Sequence, residues 1–212
     1  MGLLKKMNLV RSASKAEKIF EGLFPGKTFW DICYTSPSDY VNQYWSAYKS
    51  INGSSNSMNG NIFELIIYTL FVREKLLPMY LQAKVAFIPN VEYDLIIYNK
   101  EVGPIGISLK TSLRERKKQA DLEAIALKYV HRKSECYLIS MDEQEVDSAK
   151  KDIKEGFLLG LNNVIYACSM EFDEFIASLK ERSFAESGMV EVITSNQIIT
   201  SDIVSLYGNN SK

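Results

Sequence analysis

The sequence predicts an α/β (α+β) fold, a mixed five-stranded-type sheet flanked by helices. Three observations carry this. An almost uniformly apolar helical stretch, Ile62 to Leu77, stops at Pro78. Short apolar runs separated by turn formers follow it, as strands require. After them, charged helical stretches alternate with short buried runs, the order expected of helices packed on a sheet.

Taken in order, residues 1–58 are an aromatic-rich, mainly helical preface interrupted by Pro25-Gly26 and Ser36-Pro37-Ser38. Asn52 to Asn61 (NGSSNSMNGN) is a run of turn formers and is expected to be a loop. Residues 59–212 form the α/β body, and 1–212 is read as one domain. Its expected strands are Val85 to Ile88, Tyr93 to Tyr98, Ile105 to Leu109, Tyr137 to Ser140 and Val164 to Cys168. Its expected helices run from Leu113 to His131, through 143–155, and from Glu171 to Leu179 with Ser169 as N-cap. The tail from Val190 to Leu206 alternates enough for one or two edge strands.

Bulk properties exclude several classes. Apolar residues are 46% and charged residues 24% of 212, as in an ordinary globular chain. Three cysteines without CxxC spacing argue against a disulfide framework or a zinc site, and suggest free thiols in a reducing cytosol. No run of eighteen apolar residues is present, so a soluble intracellular protein with no membrane partner is expected. The net charge of −1 means that any nucleic-acid contact must come from a local basic patch. Such a patch exists, because five basic residues fall within 110–118.

The informative segment is Tyr93-Asp94-Leu95-Ile96-Ile97 followed by Ile107-Ser108-Leu109-Lys110. Two antiparallel strands joined by the turn at 99–104 bring Asp94 and Lys110 together at the ends far from that turn. A carboxylate that holds a hard divalent cation, beside a lysine that orients water and offsets charge, suits phosphodiester hydrolysis. One carboxylate is seldom enough for Mg²⁺. Position 108, two before the lysine, is serine, whereas Glu123 stands thirteen residues after Lys110 in the next helix. Glu64 sits in an otherwise apolar helix, where an unpaired carboxylate is costly and a paired or functional role is favoured.

With these residues in place, the chain resembles the PD-(D/E)XK nuclease superfamily, and within it a branch of type II restriction endonucleases. In that branch serine replaces the acid before the lysine, and a glutamate on the following helix substitutes for it. The pattern here is Asp94, Ser108-Leu-Lys110, Glu123, with Glu64 as the upstream acid and Tyr93 in place of the usual proline. The resemblance covers about residues 60–140. It implies a restriction-endonuclease-like core and Mg²⁺ held by Asp94 and Glu123. Lys110 would handle the water, and Ser108 and Glu64 would complete the cluster.

A second match is Arg114-Glu115-Arg116, four residues past the lysine, where the branch that cuts CCGG, CCNGG, CCWGG or GGWCC-like sites carries its base readers. Arginine forks onto guanine O6 and N7, and a carboxylate accepts from cytosine N4. Lys117 and Lys118 would serve the phosphates. The resemblance further implies double-stranded DNA as substrate, a homodimer matching a palindromic site, a separate cognate DNA methyltransferase, and a cytoplasmic location in a prokaryotic cell.

Plainer readings stand beside these. Ser112-x-x-Glu115 is also a capping box. Asp94 could be a turn residue, Lys110 a solvated strand-end charge, and Glu123 a surface salt-bridge partner. Cations at a helix N-terminus oppose the macrodipole, so local stability does not explain Arg114 to Lys118. His131 is expected to meet the last carbonyls of its helix. The aromatics of the preface are read as core and dimer surface first, with Trp30, Trp45 and several of the tyrosines as candidates to stack on an extruded base. Alternative functions are another nuclease of the same core, repair or junction-resolving, and a non-catalytic DNA-binding protein.

Overall fold

The computed structural model describes residues 2–11, 14–51, 55–88, 90–114, 116–186 and 193–208. It is a mixed α/β structure in which helices cover both faces of an open seven-stranded sheet. The preface contributes α1 (Leu3–Lys6), α2 (Lys15–Gly22) and α3 (Pro37–Lys49). They are followed by α4 (Asn56–Arg73), β1 (Met79–Val85), β2 (Tyr93–Asn99), β3 (Gly103–Lys110) and α5 (Arg116–Val130). The chain continues through β4 (Glu135–Ser140), α6 (Glu143–Lys154), β5 (Asn163–Tyr166) and α7 (Met170–Lys180). The tail adds β6 (Ile193–Thr194), β7 (Gln197–Ile199) and α8 (Ser201–Tyr207).

Strand order is β5-β4-β3-β2-β1-β6, with β7 also on β1. The β1–β2–β3 meander is antiparallel, and β3, β4 and β5 are parallel. Two strands more than the expected five-stranded type arise because the tail pairs with the free edge of β1 in two pieces. Such pairing covers an edge that would otherwise present open hydrogen-bonding groups.

Three expectations need correction. The tail, expected as edge strands to Leu206, is helix from Ser201, capped by Thr200. The turn-forming run was expected to be a loop, yet from Asn56 it is helix. Ser55 caps α4 by accepting from Met58 N at 3.2 Å, and the Asn59 side chain accepts from Tyr48 OH at 2.9 Å. A cap and one tertiary bond outweigh the weak helix propensity of Asn and Ser. The first strand was expected at Val85 to Ile88, but β1 runs from Met79 to Val85. Its pattern, with Gln82 and Lys84 between apolar residues, gives a weak apolar run, and pairing with β2 supplies what the run lacks.

From Ile62 to Val72 helix α4 is apolar nearly all round because it is buried nearly all round, between α2 and α3 outside and β3 inside. It belongs to a first core with α3, α7 and one sheet face, including Leu81, Leu95, Ile97, Ile107 and Ile139. The aromatics of the preface are mostly part of it, with Tyr40, Tyr44 and Tyr48 fully buried. A second core on the other face joins Tyr80, Ile96, Cys136, Leu138 and Val164 to Ala120, Ala124 and Leu127 of α5.

One level of the sheet breaks the period-two rule. On β1, Met79 and Leu81 enter the first core, whereas Ala83 and Val85 enter the second. On β2, Leu95 and Ile97 lie in the first and Tyr93 in the second. A regular strand keeps residues two apart on one face, so both strands turn over between these levels. The register steps from Leu81↔Leu95 to Ala83↔Tyr93 with no Gln82↔Asp94 bridge, and Gln82 has φ +45°. On the other edge, β6 and β7 keep one register on β1 but are interrupted at 195–196, at the same level. Ser195 Oγ patches that interruption by donating to Leu81 O at 2.6 Å.

Tyr93, swung to the second core, lies across Gly106. A Cβ at position 106 would sit 2.6 Å from Tyr93 Cε1. The ring cannot retreat freely, because its hydroxyl donates to Glu123 O in α5 at 2.9 Å. Gly106→Ala is therefore expected to destabilise the fold by about 1–3 kcal/mol, the usual cost of overpacking. Urea unfolding checks this, and an unchanged midpoint would refute the account of Gly106.

Candidate active site

The broken level of the sheet is where the acidic and basic side chains gather. Asp94, 8% exposed, directs Oδ2 across to β3, where it accepts from Leu109 N at 2.6 Å and from Lys110 Nζ at 2.7 Å. The expected juxtaposition of Asp94 and Lys110 at the strand ends is thus present. The Asp94 carbonyl, released from the ladder with β1, accepts instead from Tyr68 OH of α4 at 2.8 Å. Burial raises Tyr68 well above its ordinary range, which keeps the hydroxyl a donor.

Glu64 lies one helical turn before Tyr68, on the same face of α4. Gln82 Nε2 donates to Glu64 Oε2 at 3.1 Å and to Tyr68 OH at 3.2 Å. The Glu64 carboxyl is pushed up to about 7, by burial first and then by the Asp94 charge, against the lowering effect of Lys110 and of the Tyr68 and Gln82 hydrogen bonds. Glu123, half-buried on α5, accepts from Gln119 Nε2 at 2.8 Å. Its carboxyl is raised by burial and by Asp94 and lowered by Gln119 and Lys110. Glu64 and Glu123 both feel the charges of Asp94 and Lys110.

Ser108 is buried on β3, two residues before Lys110 and therefore on the same side of the strand. Continuing the Leu95↔Ile107 pairing by one step places it opposite Asp94. A cleft of about 350 Å³ opens beside Glu64, lined by Arg11, Asn61, Tyr68, Gln82 and Gln197.

The donor set can be tested against Mg²⁺. Among the described residues no three His, Cys, Asp or Glu side chains converge as a ready metal cage. Mg²⁺ commonly needs only one or two carboxylates, with waters and substrate phosphate filling the rest. Asp94 and Glu123 use one oxygen each in the hydrogen bonds given above, leaving the other as a hard ligand. A cation would favour the ionised form of both carboxyls, which burial and the Asp94 charge disfavour. Two hard carboxylate donors are the chemistry that such an ion takes.

The basic segment is divided. Lys117 is committed to Asp152 at 2.5 Å. Arg114, Arg116 and Lys118 are exposed and make no ion pair among the described residues. Arg114 has φ +30°, a conformation uncommon for a residue with a side chain. Glu115, with its capping-box and base-reading roles, lies outside the described residues. The entry to α5 is held by Glu145, whose carboxylate accepts from Leu113 N and, at 3.4 Å, from Arg114 N. His131 does not meet the helix carbonyls: its Nε2 is buried without a partner, and burial lowers its pKa.

Two site residues escaped the sequence reading. Tyr68 had a signal, the Glu64-x-x-x-Tyr68 spacing on one helix face. Gln82 had none, since its position depends on a strand placed by pairing and on a positive φ. No family model matches the chain, and no curated protein or solved structure matches it.

The Glu64 shift fixes a pH dependence. A carboxyl raised from 4.5 to about 7 binds its proton more tightly in the folded state. Stability from this group is full below the unfolded value and is lost as pH rises through about 7. Glu64→Gln should leave the melting temperature unchanged near pH 5 and raise it relative to wild type near pH 8. Thermal melts across this range check it, and parallel curves for the two proteins would sink it.

Proposed function

We propose that this chain is a Mg²⁺-dependent endonuclease of the type II restriction class, built on a restriction-endonuclease-like core. It would hydrolyse double-stranded DNA at a short palindromic G·C-containing site. The observation that carries the reading is the Asp94–Lys110 pair at 2.7 Å on adjacent strand ends, with Glu64 and Glu123 in its field. The exposed Arg114, Arg116 and Lys118 stand a few residues away, where a bound duplex would meet them.

Asp94 and Glu123 would hold Mg²⁺, which supplies Lewis-acid stabilisation of the charge that builds on the phosphate. Lys110, fixed by Asp94, orients the attacking water and offsets negative charge on the phosphate oxygens. A bond forms from the water oxygen to phosphorus as the phosphorus–oxygen ester bond breaks, and the departing oxygen gains a proton. Ser108 supports the cluster from β3, and Glu64 completes it through Gln82 and Tyr68. Arg114, Glu115 and Arg116 read base edges, while Lys118 and, once released from Asp152, Lys117 serve phosphates. A homodimer, a separate cognate methyltransferase and a cytoplasmic location follow from the same reading.

A non-catalytic DNA-binding role has one observation in its favour: Asp94 is already satisfied by Leu109 N and Lys110, as a structural ion pair would be. Digestion of a sequenced plasmid with Mg²⁺ separates the readings. The proposal expects discrete fragments whose ends share one short G·C-containing sequence. Lys110→Ala should lower cleavage at least about 10³-fold while the protein still binds DNA. Uncut plasmid would reject the proposal, and a smear without bands would favour a repair or junction-resolving nuclease. Arg114→Ala distinguishes the last case, because a reader loses affinity for its own site by about 1–3 kcal/mol and little elsewhere.

A further inference from the structure

Helix α5 presents the site on one flank and something unexplained on its outer surface. Leu122, Ile125 and Tyr129 recur at the spacing of one helix face, with Leu122 66% and Tyr129 79% exposed. At about 100° per residue they fill a stripe about 60° wide that lies roughly 100–160° round the helix from Glu123. Ala120, Ala124 and Leu127, on the opposite side, are the residues that enter the second core.

The stripe is extended by a loop built against it. Asp121, buried beside the stripe, accepts from Leu159 N at 3.1 Å, Gly160 N at 2.7 Å and Leu161 N at 3.1 Å. Gly160 is pressed so closely that a Cβ there would lie 2.5 Å from Ile125 N. Leu158 and Leu161 of this loop are buried, yet Phe157 and Leu159 remain 73% and 72% exposed. A buried carboxylate with three amide donors is a costly way to fix a loop whose two large side chains face water.

We propose that this surface, Leu122, Ile125 and Tyr129 of α5 with Phe157 and Leu159, is the seat of a second copy of this chain, packed about a two-fold axis. Two arguments choose that occupant. Those side chains expose on the order of 600 Å², close to the about 800 Å² per partner of a standard stable interface and at the top of the range of apolar patches on monomers, which are often functional surfaces. The stripe also shares its helix with Glu123 and leads back to Arg114 and Lys118. A two-fold through the stripe therefore places two sites and two basic segments symmetrically about one helix pair, as cutting both strands of a palindrome needs. This second argument rests on the proposed endonuclease function; the first does not. The rims are like-charged, with Lys118, Arg132 and Lys133 exposed along α5 and past its end. Association should accordingly strengthen with ionic strength, opposite to DNA binding.

Sedimentation velocity of the full chain at micromolar concentration reads the prediction directly. Wild type is expected at twice the 24.1 kDa chain mass. Leu122→Glu with Tyr129→Glu should raise the dimer Kd by roughly a hundredfold or more. Unchanged circular dichroism and melting would show that the variant is folded. Should that variant not fold, Ile125→Cys, close to the proposed axis, should crosslink into a covalent dimer on mild oxidation. A monomeric wild type, a charged variant that stays dimeric, or an Ile125→Cys variant that fails to crosslink would each overturn the proposal. So would a monomeric wild type whose DNA binding is lost in the charged variant, since the occupant would then be the duplex. A monomer that cuts plasmid refutes the surface and leaves the nuclease standing, and a dimer that does not cut does the reverse.

Discussion

The carboxylate of Asp94 is the point on which this structure turns. Its Oδ2 is held at 2.6 Å by Leu109 N and at 2.7 Å by Lys110 Nζ, so a buried charge is satisfied by the strand beside it. That arrangement requires the Asp94 level to leave the regular ladder. Both β1 and β2 turn over there, and three groups take up what the ladder gives up. Tyr68 donates to Asp94 O, Arg11 donates to Gln82 O at 3.4 Å, and Ser195 closes the adjacent interruption. Without those partners the freed carbonyls would each carry the cost of an unmade bond.

From this level the remaining parts follow by packing. Because α4 is buried nearly all round, Glu64 and Tyr68 cannot rotate away from the break, and Gln82 fastens them to β1. Because Tyr93 turns into the second core over Gly106, its hydroxyl reaches Glu123 O and holds the middle of α5 against β2. The four charged groups thus come from three layers: α4 on one face, β2 and β3 between, and α5 on the other. Burial first, and the Asp94 charge beside it, raise Glu64 and Glu123 against the opposing Lys110.

Helix α5 is asked to serve three surfaces. Its inner side closes the second core, one flank carries Glu123, and its outer side carries the apolar stripe beside the loop pinned by Asp121. A helix has room for this, since 3.6 residues per turn separates three faces within two turns. Its N-terminal approach is held by Glu145 rather than left to local capping alone, which couples the basic segment to α6.

The sequence by itself determined the order of helices and strands from α4 to α7, the Asp94–Lys110 pairing and the local basic patch, but not the closing helix α8. These depend on periodicity, on Pro78 and on the geometry of a hairpin, all short-range facts. It also marked Glu64, as a lone acid in an apolar helix. It misjudged Asn56 to Asn61, where a Ser55 cap and a bond to Tyr48 decide for helix, and it misplaced β1, whose limits are set by pairing with Ile97 and Tyr93. Only the tertiary structure decided that Gln82 bridges Glu64 and Tyr68, that Lys117 is spent on Asp152, and that Tyr93 holds Glu123's helix. Those facts rest on contacts between residues fourteen to thirty-five positions apart and on one positive φ. No local pattern encodes them, because the energy that selects them is that of burying the groups together.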